Sequence, residues 1–213
     1  MIITIDGPVA SGKSFLAREL ANKLGFYYLN SGLLYRGLAF VILNNPSLDI
    51  KTIISHLKYF YDGHKESIKY DDKDITPFLK TPQIDQASSI MSADPHVREI
   101  LLDFQRNFAK QNDLVTDGRD CGSVVFENAD VKIFLTASIK VRAKRWQHDQ
   151  ELKGNIYSQE ECEAIITDRD KRDQEREIAP LVVPKDAIIL DNSELDEEET
   201  FSKAREIIKN IIS

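Results

Sequence analysis

The sequence predicts an α/β fold in three layers, with a five-stranded parallel sheet between helices on both of its faces. Short β-branched apolar runs alternate with longer segments in which apolar residues recur every three or four positions. This alternation is typical of parallel strands joined by crossover helices. A loop containing glycine separates the first strand from the first helix, an arrangement that favours anion binding at the helix N-terminus.

The apolar runs and periodic segments locate the individual elements. Strands are predicted at residues 2–5, 26–29, 114–116, 131–135 and 187–190. A first helix begins near Gly12 and ends at Gly25, a position suited to a C-terminal glycine. A second helix is predicted to begin near Ser31. Four more are predicted at residues 95–111, 139–153, 159–175 and 195–212. Residues 46–86 interrupt the rhythm with charges, Pro77 and Pro82, and are interpreted as an insertion with a small sheet that includes Ser67–Tyr70.

Composition and charge exclude several classes of protein. The chain has 213 residues, of which 42% are hydrophobic and 30% charged, which indicates one globular domain rather than disorder. Its formal net charge of −7 disfavours nucleic-acid binding, because neutralising phosphates needs a basic face. Residues 1–14 resemble no signal peptide, no window approaches the roughly 20 apolar residues of a membrane span, and Cys121 and Cys162 form no CxxC pair. We therefore expect a soluble, cytoplasmic, monomeric protein without a nucleic-acid or membrane partner.

The loop after the first strand fits the pattern GxxxxGK[ST]. Its glycines let several backbone N–H groups point at one phosphate, and the following helix aims its N-terminal dipole at the same place. In such a P-loop, Lys13 bridges the β- and γ-phosphates and Ser14 ligates Mg²⁺. ATP is therefore the expected ligand of Gly7, Pro8, Val9, Ala10, Ser11, Gly12, Lys13 and Ser14.

Four further motifs indicate the phosphoryl acceptor. They are YLNSGLLYR at residues 28–36, SSIMSADPHVR at 88–98, DGRDCGSVVF at 117–126 and RDKRDQEREIAP at 169–180. In this order and length, they resemble those of bacterial-type cytidylate kinase, within the P-loop nucleoside monophosphate kinase superfamily. The resemblance extends from Ile3 to the final helix. It implies transfer of the γ-phosphoryl group of ATP to CMP or dCMP with Mg²⁺, a reaction of pyrimidine nucleotide metabolism.

The resemblance also implies a role for each matching position. Arg36, Arg119 and Arg176 match arginines that hold the acceptor phosphate, and Ser31 matches a small hydroxyl beside the acceptor. Ser89, Arg98 and Asp120 match residues that read the cytosine edge. Asp173, supported by Arg169, matches the residue that binds the ribose. Asp117 matches an acid that reaches Mg²⁺ through water, and Arg172 a donor-phosphate or lid residue. The implied catalytic set is Lys13, Asp117, Arg119, Arg172 and Arg176.

Three positions depart from the family pattern. Asn30 stands where an aspartate is usual, and Phe15 where a second hydroxyl often touches the donor nucleotide. The segment around Ser89 matches the family motif only in part, which leaves Ser88 as an alternative for the same role.

A P-loop kinase core implies the strand order 2-3-1-4-5. The core is expected at residues 1–45, 93–144 and 173–213, an acceptor-binding insertion at about 46–92 and a lid at about 145–172. Two alternatives stay open at this point. One is another small P-loop kinase, for UMP, shikimate or dephospho-coenzyme A, and the other is a nucleotide sensor without catalysis.

Overall fold

The structure, a computed structural model, describes residues 1–212. In chain order the strands are β1 (Ile2–Asp6), β2 (Tyr27–Asn30), β3 (Leu57–Tyr61), β4 (Glu66–Tyr70), β5 (Lys73–Asp74), β6 (Leu114–Gly118), β7 (Val131–Thr136) and β8 (Ile188–Asp191). The helices are α1 (Lys13–Leu24), α2 (Ser31–Asn44), α3 (Ile50–His56), α4 (Pro82–Met91), α5 (Pro95–Ala109), α6 (Ile139–Glu151), α7 (Gln159–Glu175) and α8 (Glu197–Ile212). A 3-10 turn covers Thr76–Phe78 and a π-helical turn covers Cys121–Val125.

Five strands form one parallel sheet in the order β2-β6-β1-β7-β8. Counted along these five strands alone, this is the predicted order 2-3-1-4-5. Strand β1 is central, since Ile3 is aligned with Val115 on one side and Val131 on the other. The chain crosses from β1 to β2 in one direction and later returns to β7 on the other side. The carboxyl end of β1 is therefore the switch point at which open α/β sheets bind ligands.

Helices cover both faces of this sheet, which confirms the predicted three layers. On one face, Ile3 and Ile5 belong to a buried cluster with residues of α1 and α8. On the other face, Leu29 and Leu114 belong to a cluster with residues of α2 and α5. No helix within residues 1–212 is long and apolar enough to span a bilayer.

Most of the predicted elements lie within two residues of their expected ends. Helix α6 ends at Glu151 rather than at 153, because a turn with Gly154 in the left-handed region (φ 81°) follows it. Ser158 then begins α7 with a reciprocal capping box, in which its hydroxyl accepts from Glu161 and the Glu161 carboxylate accepts from its amide.

The insertion contains the expected small sheet and two helices that periodicity did not predict. Strands β3, β4 and β5 pair antiparallel in that order. Helix α4 begins where the Thr81 hydroxyl accepts from the Ile84 amide, with Pro82 in the first position. The insertion is tied to the core by a bidentate pair between Arg18 and Glu66, with distances of 2.7 and 3.0 Å.

Candidate active site

The loop between β1 and α1 has a conformation that requires glycine at two positions. Gly12 has φ 91°, in the left-handed region that glycine adopts without strain. A Cβ atom on Gly7 would lie 2.0 Å from the carbonyl oxygen of Leu135, too close for any side chain. The loop therefore folds back tightly on the N-terminus of α1, as phosphate binding requires.

Lys13 is the first residue of α1, and its side chain folds back over this loop. Its Nζ donates a 2.7 Å hydrogen bond to the carbonyl of Pro8. Burial and the neighbouring cations Arg119 and Arg169 lower its pKa well below the ordinary value. A bound anion would relieve this electrostatic cost, so the lysine is placed to attract a phosphate.

A second polar group joins α1 to the end of β6. Asp117 Oδ2 accepts a 2.7 Å hydrogen bond from Ser14, and its Oδ1 accepts one of 2.7 Å from the hydroxyl of Tyr28. A serine hydroxyl beside a carboxylate is a hard-oxygen donor set that fits Mg²⁺, which binds few protein oxygens and completes its shell with water and phosphate. Sequence reasoning did not single out Tyr28, because it lies inside a strand that reads as core.

One cavity of about 630 Å³ next to the loop is lined by five arginines, and four of these lie close to carboxylates. The four come from α2, from the turn after β6 and from the C-terminal part of α7. For these four, the closest nitrogen–oxygen distances are 2.7 Å for Arg36–Asp85, 2.7 Å for Arg119–Asp173, 3.2 Å for Arg176–Asp120 and 3.8 Å for Arg169–Asp85.

Among these four arginines, Arg169 lies farthest from its carboxylate, at 3.8 Å. Burial and the nearby Arg119 lower its pKa to about 10, despite attraction from Asp85. The part of the cavity that these side chains share therefore carries an excess of positive charge. It can take a small anion although the whole chain has a net charge of −7.

One end of the cavity is lined by hydroxyls and a carboxylate. Asp120 is buried and is paired with Arg98, which lies behind it and also donates to the carbonyl of Ser92 at 2.9 Å. Arg176 donates to Asp120 and to the hydroxyl of Ser92, both at 3.2 Å. Ser88, Ser89 and Ser92 all line the cavity, so the geometry leaves the choice between Ser88 and Ser89 open and adds Ser92.

The turn that carries Arg119 and Asp120 is held by a buried carboxylate. Asp6, at the end of β1, accepts from the amides of Cys121 at 2.8 Å and Gly122 at 2.7 Å. Burial raises the pKa of Asp6 to about 6. The Cys121 thiol is also buried, and burial raises its pKa well above the ordinary value. This favours packing over thiolate chemistry.

The opposite end of the cavity includes residues of α6. Arg145 donates to the side-chain and main-chain oxygens of Asn192, each at 3.1 Å, and to the Ser11 carbonyl at 3.3 Å. Trp146 lines the same end. Neither Arg145 nor Asn192 was singled out by sequence reasoning, because their contacts join segments far apart in the chain.

Helices α6 and α7 are anchored to the phosphate loop. Asp170 accepts from the Val9 amide at 3.1 Å, and Arg142 donates to the Val9 carbonyl at 3.1 Å and to Asp170. Val9 also packs against Cys162 in a small apolar cluster. The loop and the helix that carries Arg169 and Asp173 are therefore held in one network.

Arg172 is not brought into the cavity, in contrast to the role implied by the resemblance. Its side chain is exposed, and its Nε donates to the carbonyl of Asp168 at 3.4 Å. Arg169 and Asp173 lie four apart on the inner face of α7 and Arg172 lies beside that face, turned to solvent. Asn30 caps α2 by accepting from Leu33 at 3.0 Å, so this departure keeps a local role.

Comparison with known proteins identifies the family. A sequence model described as "Cytidylate kinase" matches residues 3–210. The chain belongs to the cytidylate kinase family. The family is thus the one that the motifs at residues 28–36, 88–98, 117–126 and 169–180 resemble.

Curated relatives match along nearly the whole chain. A protein named "Cytidylate kinase" from Carboxydothermus hydrogenoformans is 40% identical over 215 aligned residues, covering 98% of this chain and 97% of the relative. A protein of the same name from Chlamydia caviae is 41% identical, covering 100% and 98%. The solved structure of an uncharacterized protein from Eubacterium ventriosum covers 100% of this chain and 99% of its own, with a TM-score of 0.56 and 16% identity. That likeness supports the fold.

Proposed function

We propose that this protein transfers the γ-phosphoryl group of ATP to CMP or dCMP, giving CDP or dCDP. The observation that carries the proposal is the convergence of the phosphate loop and Arg36, Arg119, Arg169 and Arg176 on one cavity. Such a cavity can hold two phosphates in line, one from a donor and one from an acceptor.

The donor is assigned to the loop at residues 7–14. Backbone N–H groups and Lys13 would hold the β- and γ-phosphates, and Arg145 lines the donor end. Mg²⁺, held by Ser14 with Asp117 reached through water, would neutralise charge that develops on the transferred group. Phe15 also lines the cavity there, and its side chain offers the phosphates no hydrogen bond.

The acceptor phosphate is assigned to Arg36, Arg119 and Arg176, with Ser31 nearby. This phosphate is already ionised, so the reaction needs no strong general base, and rate enhancement comes from positioning and charge stabilisation. Arginine suits the task because its planar fork binds phosphate through two N–H groups. The Asp173 partner of Arg119 fixes that fork in place.

The cytosine base is assigned to the end of the cavity at Asp120. A carboxylate there accepts from the 4-amino group of cytosine, whereas the O4 atom of uracil would face a negative charge. Arg98 supports Asp120, and Ser89 or Ser88 supplies a further polar group. The ribose is assigned to Asp173, which Arg169 supports.

The proposal includes the expected division of the chain into a core, an insertion and a lid. It also takes the protein as a monomer that acts on free nucleotides in the cytoplasm. The insertion at about 46–92 would close over the acceptor and the segment at about 145–172 over the donor. Closure excludes water, which would otherwise accept the phosphoryl group of ATP.

Product formation by the purified protein tests the proposal. ATP and Mg²⁺ with CMP or dCMP should give CDP or dCDP, and ATP without an acceptor should give little ADP. Lys13→Ala should lose transfer by at least about a hundredfold. Faster turnover of UMP, shikimate or dephospho-coenzyme A would favour another small P-loop kinase. Nucleotide binding without transfer in the wild type would favour a sensor.

A further inference from the structure

Asp85 lies between two of the arginines that line the cavity. It belongs to the first turn of α4, in the insertion. Its Oδ1 accepts from Arg36, with Nε and Nη2 both at 2.7 Å, and its Oδ2 lies 3.8 Å from Nη1 of Arg169. One carboxylate thus faces two guanidinium groups from different parts of the chain.

The surroundings of Asp85 differ from those of the other two carboxylates. The Asp120 and Asp173 side chains are 10% and 9% exposed and are fixed on the core or on α7, whereas the Asp85 side chain is 38% exposed. An ion pair of this exposure is weak and exchanges readily. Asp85 can therefore leave its partners at low cost.

We propose that Asp85 is an internal substitute for the acceptor phosphate. Before the acceptor binds, Asp85 occupies Arg36, and the phosphate displaces it on binding. The inference rests on the proposed function, since it takes Arg36 as a ligand of the acceptor phosphate. It makes Asp85 an affinity-setting residue that acts through Arg36 and does not touch the reacting atoms. The phosphate oxygens take over the contacts of the carboxylate oxygens.

Because Asp85 lies on α4, replacement of Asp85 by the phosphate is coupled to the position of the insertion. Ser88 and Ser89 lie on the same helix and line the cavity one turn further on. With Asp85 on Arg36, α4 is held towards α2 before any acceptor arrives. Displacement frees that contact, so phosphate binding and the position of the serines become linked.

Equilibrium binding to the intact protein tests the proposal. Calorimetry with CMP, cytidine and inorganic phosphate would compare the wild type with Asp85→Asn, which keeps the shape and removes the charge. Asp72→Asn is the matched control, because Asp72 forms an exposed 2.8 Å pair with Lys58 in the same insertion, away from the cavity. Asp85→Glu keeps the charge, and Asp85→Ser replaces Asp85→Asn if thermal unfolding shows that variant misfolded.

Asp85→Asn should bind CMP and phosphate about fivefold more tightly, since they no longer compete with a carboxylate. The affinity of Asp85→Asn for cytidine should stay within about twofold of the wild-type value. The affinities of Asp72→Asn and Asp85→Glu for all three ligands should also stay within about twofold of the wild-type values. The Km for CMP should fall while kcat does not rise. Weaker or unchanged phosphate binding in Asp85→Asn, or an equal gain for cytidine, would overturn the proposal.

The proposed function fails separately from this inference. A wild type that binds CMP no better than cytidine rejects CMP as the acceptor. The inorganic phosphate measurements then decide the role of Asp85 on their own, because they need no nucleotide.

Discussion

Ser14 donates a 2.7 Å hydrogen bond to Oδ2 of Asp117, which joins the first turn of α1 to the end of β6. The second oxygen of the carboxylate is held by Tyr28 at 2.7 Å. The three side chains fix a pair of hard oxygen atoms beside the phosphate loop. A substitution at Asp117 should therefore affect phosphoryl transfer more than acceptor binding.

Asp117→Asn should reduce kcat by about 100- to 1000-fold, because the amide cannot replace the negative charge beside the proposed Mg²⁺ site. The Km for CMP should change by less than about threefold. Tyr28→Phe is the control, since it keeps the carboxylate and should lose less than about tenfold. Steady-state kinetics with both variants checks the prediction, and equal losses would indicate that Asp117 acts through folding alone.

Arg119→Lys should lower kcat/Km for CMP by about a hundredfold. The lysine keeps the charge but loses the fork that spans Asp173 and the proposed phosphate site. Arg205→Lys makes the same exchange at an exposed position of α8 and should behave like the wild type. Comparable rates for Arg119→Lys and the wild type would remove the arginine fork from the mechanism.

Asp6 predicts a specific pH dependence of stability. Burial raises its pKa in the folded state to about 6, above the ordinary value of 3.8, so the folded protein binds this proton more tightly than the unfolded chain. The contribution of the Asp6 proton to the free energy of unfolding is fully present below pH 3.8. It is lost as the pH rises to about 6. From pH 5 to 7.5 the loss amounts to roughly 1 to 1.5 kcal/mol.

Asp6→Asn removes this titration. The free energy of unfolding of the wild type relative to Asp6→Asn should therefore fall by that amount between pH 5 and 7.5, as measured by urea denaturation. Glu206→Gln, at an exposed position of α8, should follow the wild-type curve. A constant difference between wild type and Asp6→Asn would show that the buried carboxylate does not titrate in this range.

Phe15 should weaken donor binding. Its side chain lines the cavity beside the phosphate loop, where a hydroxyl could donate to a phosphate. Phe15→Ser should lower the Km for ATP by about tenfold, the usual size of a hydrogen bond to a charged group. The Km for CMP serves as the internal control and should not move. A rise in the Km for ATP would show that the ring itself contacts the donor.

Sequence patterns predicted the elements and contiguous motifs of the site well, for physical reasons. Gly7 to Ser14 form one loop whose spacing is itself the phosphate-binding device. Arg36 and Arg119 follow strands whose carboxyl ends meet at one edge of a parallel sheet, so their convergence follows from the fold. These side chains line the cavity, and their roles stay predictions until they are measured.

The contacts that sequence patterns did not predict all depend on tertiary packing. Tyr28 looks like a core residue until β2 and β6 pair and bring its hydroxyl to Asp117. The contact of Arg145 with Asn192 spans 47 positions. The role implied for Arg172 stays a prediction, because a motif gives the residue but not the face of the helix on which its side chain lies, and this side chain lies outside the cavity.

Competition between two acceptors in one reaction tests the central claim, that the cavity selects cytosine nucleotides. With equimolar CMP and UMP below saturation, the ratio of CDP to UDP equals the ratio of the two kcat/Km values, whatever the active fraction of enzyme. We expect a ratio of at least about ten, because cytosine can donate its 4-amino group to the Asp120 carboxylate, whereas uracil would place O4 against the same negative charge. A ratio of one or less would contradict the assignment of this protein as a kinase of CMP.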